Sequence, residues 1–301
     1  MMKKVLVIAG PTAAGKSEFA VEMAKKLDGI IISGDSIQVY RGFDIGSGKI
    51  TKDEMQGVDH ELIDILGPRD HYSAADFQKM ARAIIAQTDQ FPIICGGTGL
   101  YLKACLYDYD FPEENHEETV DPAWEQMDND ALYALLLQKD PVQAEKIHPH
   151  NRRRVLRALT ILAHQGQTMS SLEAAQSHEP VYDIWIAGCT MDREKLYARI
   201  NARVEKMFAM GLEQEVKDLL QSGSTFCDQA MQGIGYREFE PYIKGECTLD
   251  EVKTQIQTHS RQFAKRQYTW LRHQLPVHWF DITDPKEKQK MVEEIIDWSR
   301  S

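Results

Sequence analysis

Apolar residues fall into five short runs along the chain, at positions 5–9, 30–33, 92–95, 183–189 and 277–281. Val and Ile dominate them, and they do not alternate with polar residues, as expected of strands covered on both faces of a parallel sheet. Between the first two runs, Phe19, Ala20, Met23, Ala24 and Leu27 recur at helical spacing. A strand, a glycine-rich loop, a helix and a second strand make a βαβ unit, so the pattern predicts an α/β fold on a parallel sheet. From 112 to 180 the alternation stops and only helical periodicity remains, over 131–139, 142–147, 152–165 and 170–176. The predicted organisation is a P-loop α/β catalytic core of residues 1–111 and 181–301, with a helical insertion domain at 112–180. Beyond the fourth strand, two amphipathic helices over 193–210 and 212–221 are broken at Gly211, with Met207, Met210, Leu219 and Leu220 expected in the core. Helices over 249–272 and 285–299 complete the pattern.

With 43% hydrophobic and 27% charged residues, the composition is that of a soluble globular protein. No apolar run approaches the roughly 20 residues that span a bilayer. The start, Met1-Met2-Lys3-Lys4, leads into an apolar run too short for a signal peptide, so the expected location is the cytoplasm, with no membrane partner and a monomeric chain. The five cysteines form no C-x-x-C pair, which argues against a zinc knuckle and a disulfide framework. Net charge is −11, but ten Asp or Glu and no Lys or Arg lie between Tyr107 and Asp130, so the remainder carries −11 + 10 = −1. Basic residues cluster at Arg152, Arg153, Arg154 and Arg157, and at Arg261, Lys265, Arg266 and Arg272. Local patches decide phosphate binding, so the total charge does not exclude RNA.

After the first strand, Gly10-Pro11-Thr12-Ala13-Ala14-Gly15-Lys16-Ser17 satisfies G-x-x-x-x-G-K-[ST] at every fixed position and leads into a helix, the context this motif requires. Gly10 and Gly15 let backbone N–H groups wrap a phosphate, and the helix N-terminus favours the negative charge. Lys16 adds a cation, and the Ser17 hydroxyl can ligate Mg²⁺. The motif specifies a di- or triphosphate without saying which bond breaks. A nucleoside triphosphatase usually places an Asp after a later strand. Here the third strand runs into Gly96-Gly97-Thr98-Gly99, and the lone carboxylate is Asp35, after the second strand. Ligands bind at the C-terminal edge of such a sheet, so Asp35 and Thr98 are both expected to face the loop. Asp35 could help hold Mg²⁺, orient an acceptor, accept a proton, or cap the next segment.

An ordered series of blocks extends the match along nearly the whole chain. They are Asp35-Ser36-Ile37-Gln38-Val39-Tyr40, Asp44-Ile45-Gly46, His60-Glu61-Leu62-Ile63-Asp64, Tyr72-Ser73-Ala74-Ala75-Asp76-Phe77 and Gly96-Gly97-Thr98-Gly99-Leu100-Tyr101. Ile147-His148-Pro149, Arg154 with Arg157, Gly233-Ile234-Gly235-Tyr236, and Lys265-Arg266-Gln267 with Trp270 continue the series. Together with the glycine loop they resemble the bacterial tRNA dimethylallyltransferases. The resemblance implies transfer of a dimethylallyl group from dimethylallyl diphosphate to the N6 amine of the adenosine 3′ to a tRNA anticodon, with Mg²⁺ near Ser17. It implies that Lys16, Asp35 and Thr98 are catalytic, that Arg203 joins the loop in binding diphosphate, and that Ser36, Ile37, Gln38, His60, Arg154 and Arg157 contact tRNA beside Asp35. Arg154 also resembles family arginines near the diphosphate. The insertion would grip the anticodon stem.

The sequence departs from the family at His150-Asn151-Arg152, where Asn-Asp-Pro is frequent. Two other readings remain at this point. A P-loop kinase would use ATP with Asp35 as base, and a nucleotide-dependent RNA-binding module would lack chemistry altogether.

Overall fold

The computed structural model describes residues 2–111 and 120–301. The middle of the acidic stretch, with the expected domain start at 112, lies outside the described residues. In chain order the first elements are β1 (Lys4–Ala9), α1 (Lys16–Leu27), β2 (Gly29–Ser33), α2 (Lys52–Met55), β3 (His60–Glu61), α3 (Ala74–Gln87), β4 (Phe91–Gly96) and α4 (Gly99–Leu106). Helices α5 (Pro122–Gln126), α6 (Asn129–Lys139), α7 (Pro141–Lys146), α8 (Arg152–Gln165) and α9 (Met169–Ala174) follow. The chain continues with β5 (Asp183–Thr190), α10 (Arg193–Ala209), α11 (Leu212–Gln221), α12 (Phe239–Ile243), α13 (Leu249–Gln274), β6 (His278–Asp281) and α14 (Pro285–Arg300). The six strands form one parallel sheet in the order β3-β2-β4-β1-β5-β6. None of the described helices is long and apolar enough to cross a membrane.

Two compact units emerge, one of residues 1–107 and 180–301, the other of 108–179. The larger is organised around the sheet. Leu6 and Ile8 of β1, Phe19 and Met23 of α1, Ile93 of β4, Phe280 of β6 and Ile295 of α14 are buried together in its core. The smaller unit has its own core of Leu132, Leu136, Ala144, Ile147, Val155 and Leu159. There Asp140, 3% exposed, accepts from the Gln143 amide at 3.1 Å and from the Ser170 hydroxyl at 2.6 Å, so one carboxylate links α7 to α9.

Local chemistry explains the boundaries. Thr248 and Glu251 form a capping box that starts α13, and Ser73 with Asp76 forms another that starts α3. Gly211, at φ 98°, separates α10 from α11, a backbone conformation that glycine adopts without strain. The two-residue β3 is absent from the predicted strands because it contains no hydrophobic run; its register pairs His60 with Ile31. Helix α5 is also unpredicted. It is five residues long and starts from an Asp121 cap and a proline. Met210, expected in the core, is 54% exposed at the end of α10, where the chain is already leaving the helix.

Candidate active site

Strand β1 delivers the chain directly into the glycine loop at the C-terminal edge of the sheet. Gly10 sits at φ 145°, and a Cβ there would lie 2.5 Å from the Cys189 carbonyl oxygen of β5, so only glycine lets the loop pass. Ala13 at φ 63° and Gly15 at φ 86° complete a left-handed turn into α1, with Ala14 buried beneath it. The Lys16 Nζ donates to the Pro11 carbonyl at 2.8 Å, which folds the ammonium back over the loop. Ser17 follows on the exposed rim.

A cavity of roughly 700 Å³, counting its open mouth, lies over this loop. Thr12, Lys16, Ser17, Asp35, Gln38, His60 and Arg203 line its polar side, and Ile31, Ile50, Ile63 and Phe263 part of its apolar side. Asp35 is oriented by the backbone: its Oδ1 accepts from the Ile37 amide at 2.8 Å and the Gln38 amide at 3.2 Å. Its capping role is therefore real, and it leaves the second carboxylate oxygen without a hydrogen-bond partner among the described residues. His60 Nδ1 lies 2.9 Å from the Val58 carbonyl. Donation to that oxygen fixes the tautomer and leaves Nε2 as an acceptor. Burial holds the His60 pKa below its ordinary value, against the pull of that hydrogen bond.

Arg203 reaches the site from α10. It donates to Thr12 Oγ1 at 3.3 Å and to the carbonyls of Ser47 at 3.1 Å and Gly48 at 3.4 Å. Those carbonyls belong to a loop clamped by Glu215, whose carboxylate accepts from the amides of Asp44, Ile45 and Gly46 at 3.1, 2.7 and 3.0 Å. The Tyr236 hydroxyl donates to Glu215 at 2.8 Å and accepts from the Ser47 amide at 3.1 Å. Two separate blocks of the sequence, Asp44-Ile45-Gly46 and Gly233-Ile234-Gly235-Tyr236, thus meet in one support for Arg203.

Burial lowers the pKa of Lys16 and of Arg203; the Arg203 charge lowers that of Lys16 further, and Asp35 partly offsets the fall at both. Neither has a carboxylate within salt-bridge distance among the described residues. Two partly buried cations over a backbone turn, with no salt-bridged carboxylate among the described residues, constitute a site whose electrostatics favour an incoming polyanion. Burial pushes the neighbouring Cys95 thiol up to about 11, which keeps it protonated and unsuited to nucleophilic attack.

Other expected site residues lie elsewhere. Thr98 is the N-terminal residue of the turn into α4, where its carbonyl accepts from the Tyr101 and Leu102 amides, and it is not part of the cavity lining. Ser36 and Ile37 are also off that lining; Ile37 packs against Gly233. Arg154 and Arg157 are exposed on α8, in the smaller unit. Arg152, expected to join them, is committed internally: its guanidinium donates to the carbonyls of Trp124, Glu125 and Met127 at 2.9, 2.7 and 2.6 Å. Three supporting residues escaped the sequence reading: Glu215, Ser47 and, as a site residue, Gln267. The available signal for Gln267 was a polar residue on the apolar stripe of α13, among Ile256, Ala264 and Leu271.

The sequence pattern of the IPP transferase family matches residues 38–274, and that of the isopentenyl transferases matches residues 3–70. A tRNA dimethylallyltransferase of Anoxybacillus flavithermus is 46% identical over 301 residues, covering 99% of this chain and 96% of that protein. The chain belongs to the IPP transferase family. Another relative, the tRNA dimethylallyltransferase of Bacillus subtilis, is 46% identical over 299 residues, covering 97% of this chain and 95% of its own length. Among solved structures of the family, the tRNA delta(2)-isopentenylpyrophosphate transferase of Staphylococcus epidermidis superposes with a TM-score of 0.72 at 41% identity, over 99% of both chains. A eukaryotic dimethylallyltransferase acting on tRNA superposes with a TM-score of 0.86 at 28% identity, over 99% of this chain and 80% of that one.

Proposed function

We propose that this IPP transferase moves the dimethylallyl group of dimethylallyl diphosphate onto the N6 amine of the adenosine 3′-adjacent to a tRNA anticodon and releases pyrophosphate. One observation carries the donor half of this reading: Lys16 and Arg203 line one cavity over the phosphate loop, and among the described residues no carboxylate is within salt-bridge distance of either. A diphosphate supplies the missing negative charge. The acceptor half is supported by the relatives' names, which give tRNA as the molecule acted on, while the particular adenosine is what the family resemblance implies.

In this reading the N6 lone pair forms a bond to the allylic C1 while the C1–O bond breaks, and that electron pair leaves on pyrophosphate. Lys16, Arg203 and the loop amides stabilise the charge gathering on the leaving group. Asp35 is held by its Oδ1, so its other oxygen accepts a hydrogen bond and then the proton from the amine. Gln38 and His60, on the same cavity, orient the base, with the neutral His60 Nε2 as an acceptor. Thr98 would donate to the bridging oxygen if its hydroxyl turns toward the cavity on binding. Ser36 and Ile37 extend the tRNA contact beside Asp35, and Arg154 and Arg157 extend it on the smaller unit. The donor set suits Mg²⁺: the Ser17 hydroxyl is a hard oxygen on the cavity beside the phosphate loop, and this ion retains waters and needs few protein ligands. When bound near Ser17, it would add positive charge at the diphosphate.

The test is incubation of the protein with labelled dimethylallyl diphosphate or labelled ATP, with and without unmodified tRNA. Label from the prenyl donor should enter tRNA, and ATP should not be consumed. Consumption of ATP without prenyl transfer would favour a kinase.

A further inference from the structure

Gln267 projects from α13 into the floor of the cavity and is 8% exposed. Its carboxamide joins two loops. Oε1 accepts from the Thr12 backbone N–H at 2.9 Å, and Nε2 donates to the Gly97 carbonyl at 3.0 Å. The partners fix which way the amide faces, because a backbone N–H only donates and a carbonyl only accepts. There is no slack around it. A Cβ on Gly97 would lie 2.3 Å from the amide nitrogen and 2.9 Å from the Gly10 carbonyl oxygen, so the amide itself fills the space a side chain would need.

We propose that Gln267 is a positioning residue for the donor site: one planar amide sets the span between the phosphate loop at Thr12 and the turn of Gly97 and Thr98. The inference rests on the phosphate loop being the diphosphate site. Only a side chain with an acceptor and a donor on one rigid group can hold both loops. Glutamate offers two acceptors, so its ionised form repels the Gly97 carbonyl, while its protonated form restores the donor. Methionine matches the length and offers neither.

The experiment uses the full chain, with calorimetric binding of inorganic pyrophosphate and steady-state kinetics with dimethylallyl diphosphate and tRNA. Lys16→Ala serves as the control on the loop itself. Gln267→Met should raise the pyrophosphate Kd and the donor KM roughly tenfold, the usual effect of leaving buried polar groups unpaired, with the tRNA KM unchanged. Gln267→Glu should match that loss at about pH 8 and recover toward the parent as the carboxyl protonates near about pH 6. Loss in Gln267→Glu that is equal at all pH values, or a tRNA KM that rises with the donor KM, overturns the proposal. If Lys16→Ala weakens pyrophosphate binding and Gln267→Met does not, the role of Gln267 alone falls. If Lys16→Ala changes nothing, the diphosphate reading falls with it. Should the methionine variant fail to fold, the pH profile of Gln267→Glu still decides.

Discussion

Asp35 is anchored through one oxygen and open at the other, which makes its isosteric variant informative. Asparagine keeps the acceptor for the Ile37 and Gln38 amides and removes the proton acceptor. Asp35→Asn should therefore leave folding and donor affinity intact while the single-turnover rate falls by roughly 10²–10⁴. Collapse of tRNA affinity with a surviving rate would make Asp35 a binding residue. Lys16 carries a cost in the free protein, because burial opposes its charge and no carboxylate among the described residues lies within salt-bridge distance of it. Lys16→Met should raise the stability of the ligand-free protein by about 0.5–2 kcal/mol while abolishing pyrophosphate binding, the trade expected at a functional site. Denaturant midpoints with and without pyrophosphate measure both halves. For His60, the folded-state pKa lies below the unfolded one, so its stabilising contribution is complete above the ordinary histidine value and is lost as pH falls through the folded value. The slope of stability against pH in mildly acidic solution should be shallower for His60→Gln; an identical slope would mean the imidazole protonates freely in the fold. The positions of Lys16, Asp35 and Ser17 were legible because a fixed spacing follows a recognisable strand. Glu215 was not, since nothing local distinguishes a glutamate that caps a loop some 170 residues earlier in the chain from its solvated neighbours on α11.

The arginines at the start of α8 read as one basic face in the sequence, and helical geometry divides them. Arg152 turns toward the carbonyls that end α5, whereas Arg153 and Arg154 are exposed. Arg152→Ala should destabilise the smaller unit by about 1–3 kcal/mol, because it leaves carbonyls unpaired. Arg153→Ala with Arg154→Ala should leave its melting within about 0.5 kcal/mol of the parent. If these two contact phosphates, the double variant should also flatten the salt dependence of tRNA binding by about one unit per lost contact. An unchanged slope would assign them to an ordinary solvated face. The division was invisible beforehand for a physical reason: the partner, α5, is a single short turn of helix whose pattern is too brief to register. Several longer elements were legible to within a residue or two, as for α8 and α11, because an amphipathic repeat over several turns outweighs local noise, whereas α3, also 14 residues long, was not predicted.

At the scale of the molecule, the chain leaves the larger unit and re-enters it at adjacent points. Tyr107 and Pro180 form an isolated antiparallel bridge, and the Val181 amide donates to the Leu106 carbonyl at 2.9 Å. Because each unit has its own core, residues 108–179 should be replaceable by a short glycine-rich linker. The shortened protein should keep a cooperative unfolding transition and its pyrophosphate affinity, lose the helical circular dichroism of α5 to α9 and lose tRNA binding; loss of pyrophosphate affinity would mean that the larger unit does not hold the donor site by itself. The same connectivity governs how the protein emerges from the ribosome. Strand β1 is made first and sits between β4 and β5, yet its register with β5 begins at Lys4 and Asp183, beyond the whole inserted unit. During translation the 72 inserted residues, 108 to 179, added at about 5–20 per second, lengthen the wait of this unpaired edge by roughly 4 to 14 seconds. The inserted helices have a core of their own and can close up at once, so the nascent chain carries a finished small unit while the β1 edge is still open. It is in that interval, rather than in the completed enzyme, that trigger-type chaperones would have something to hold.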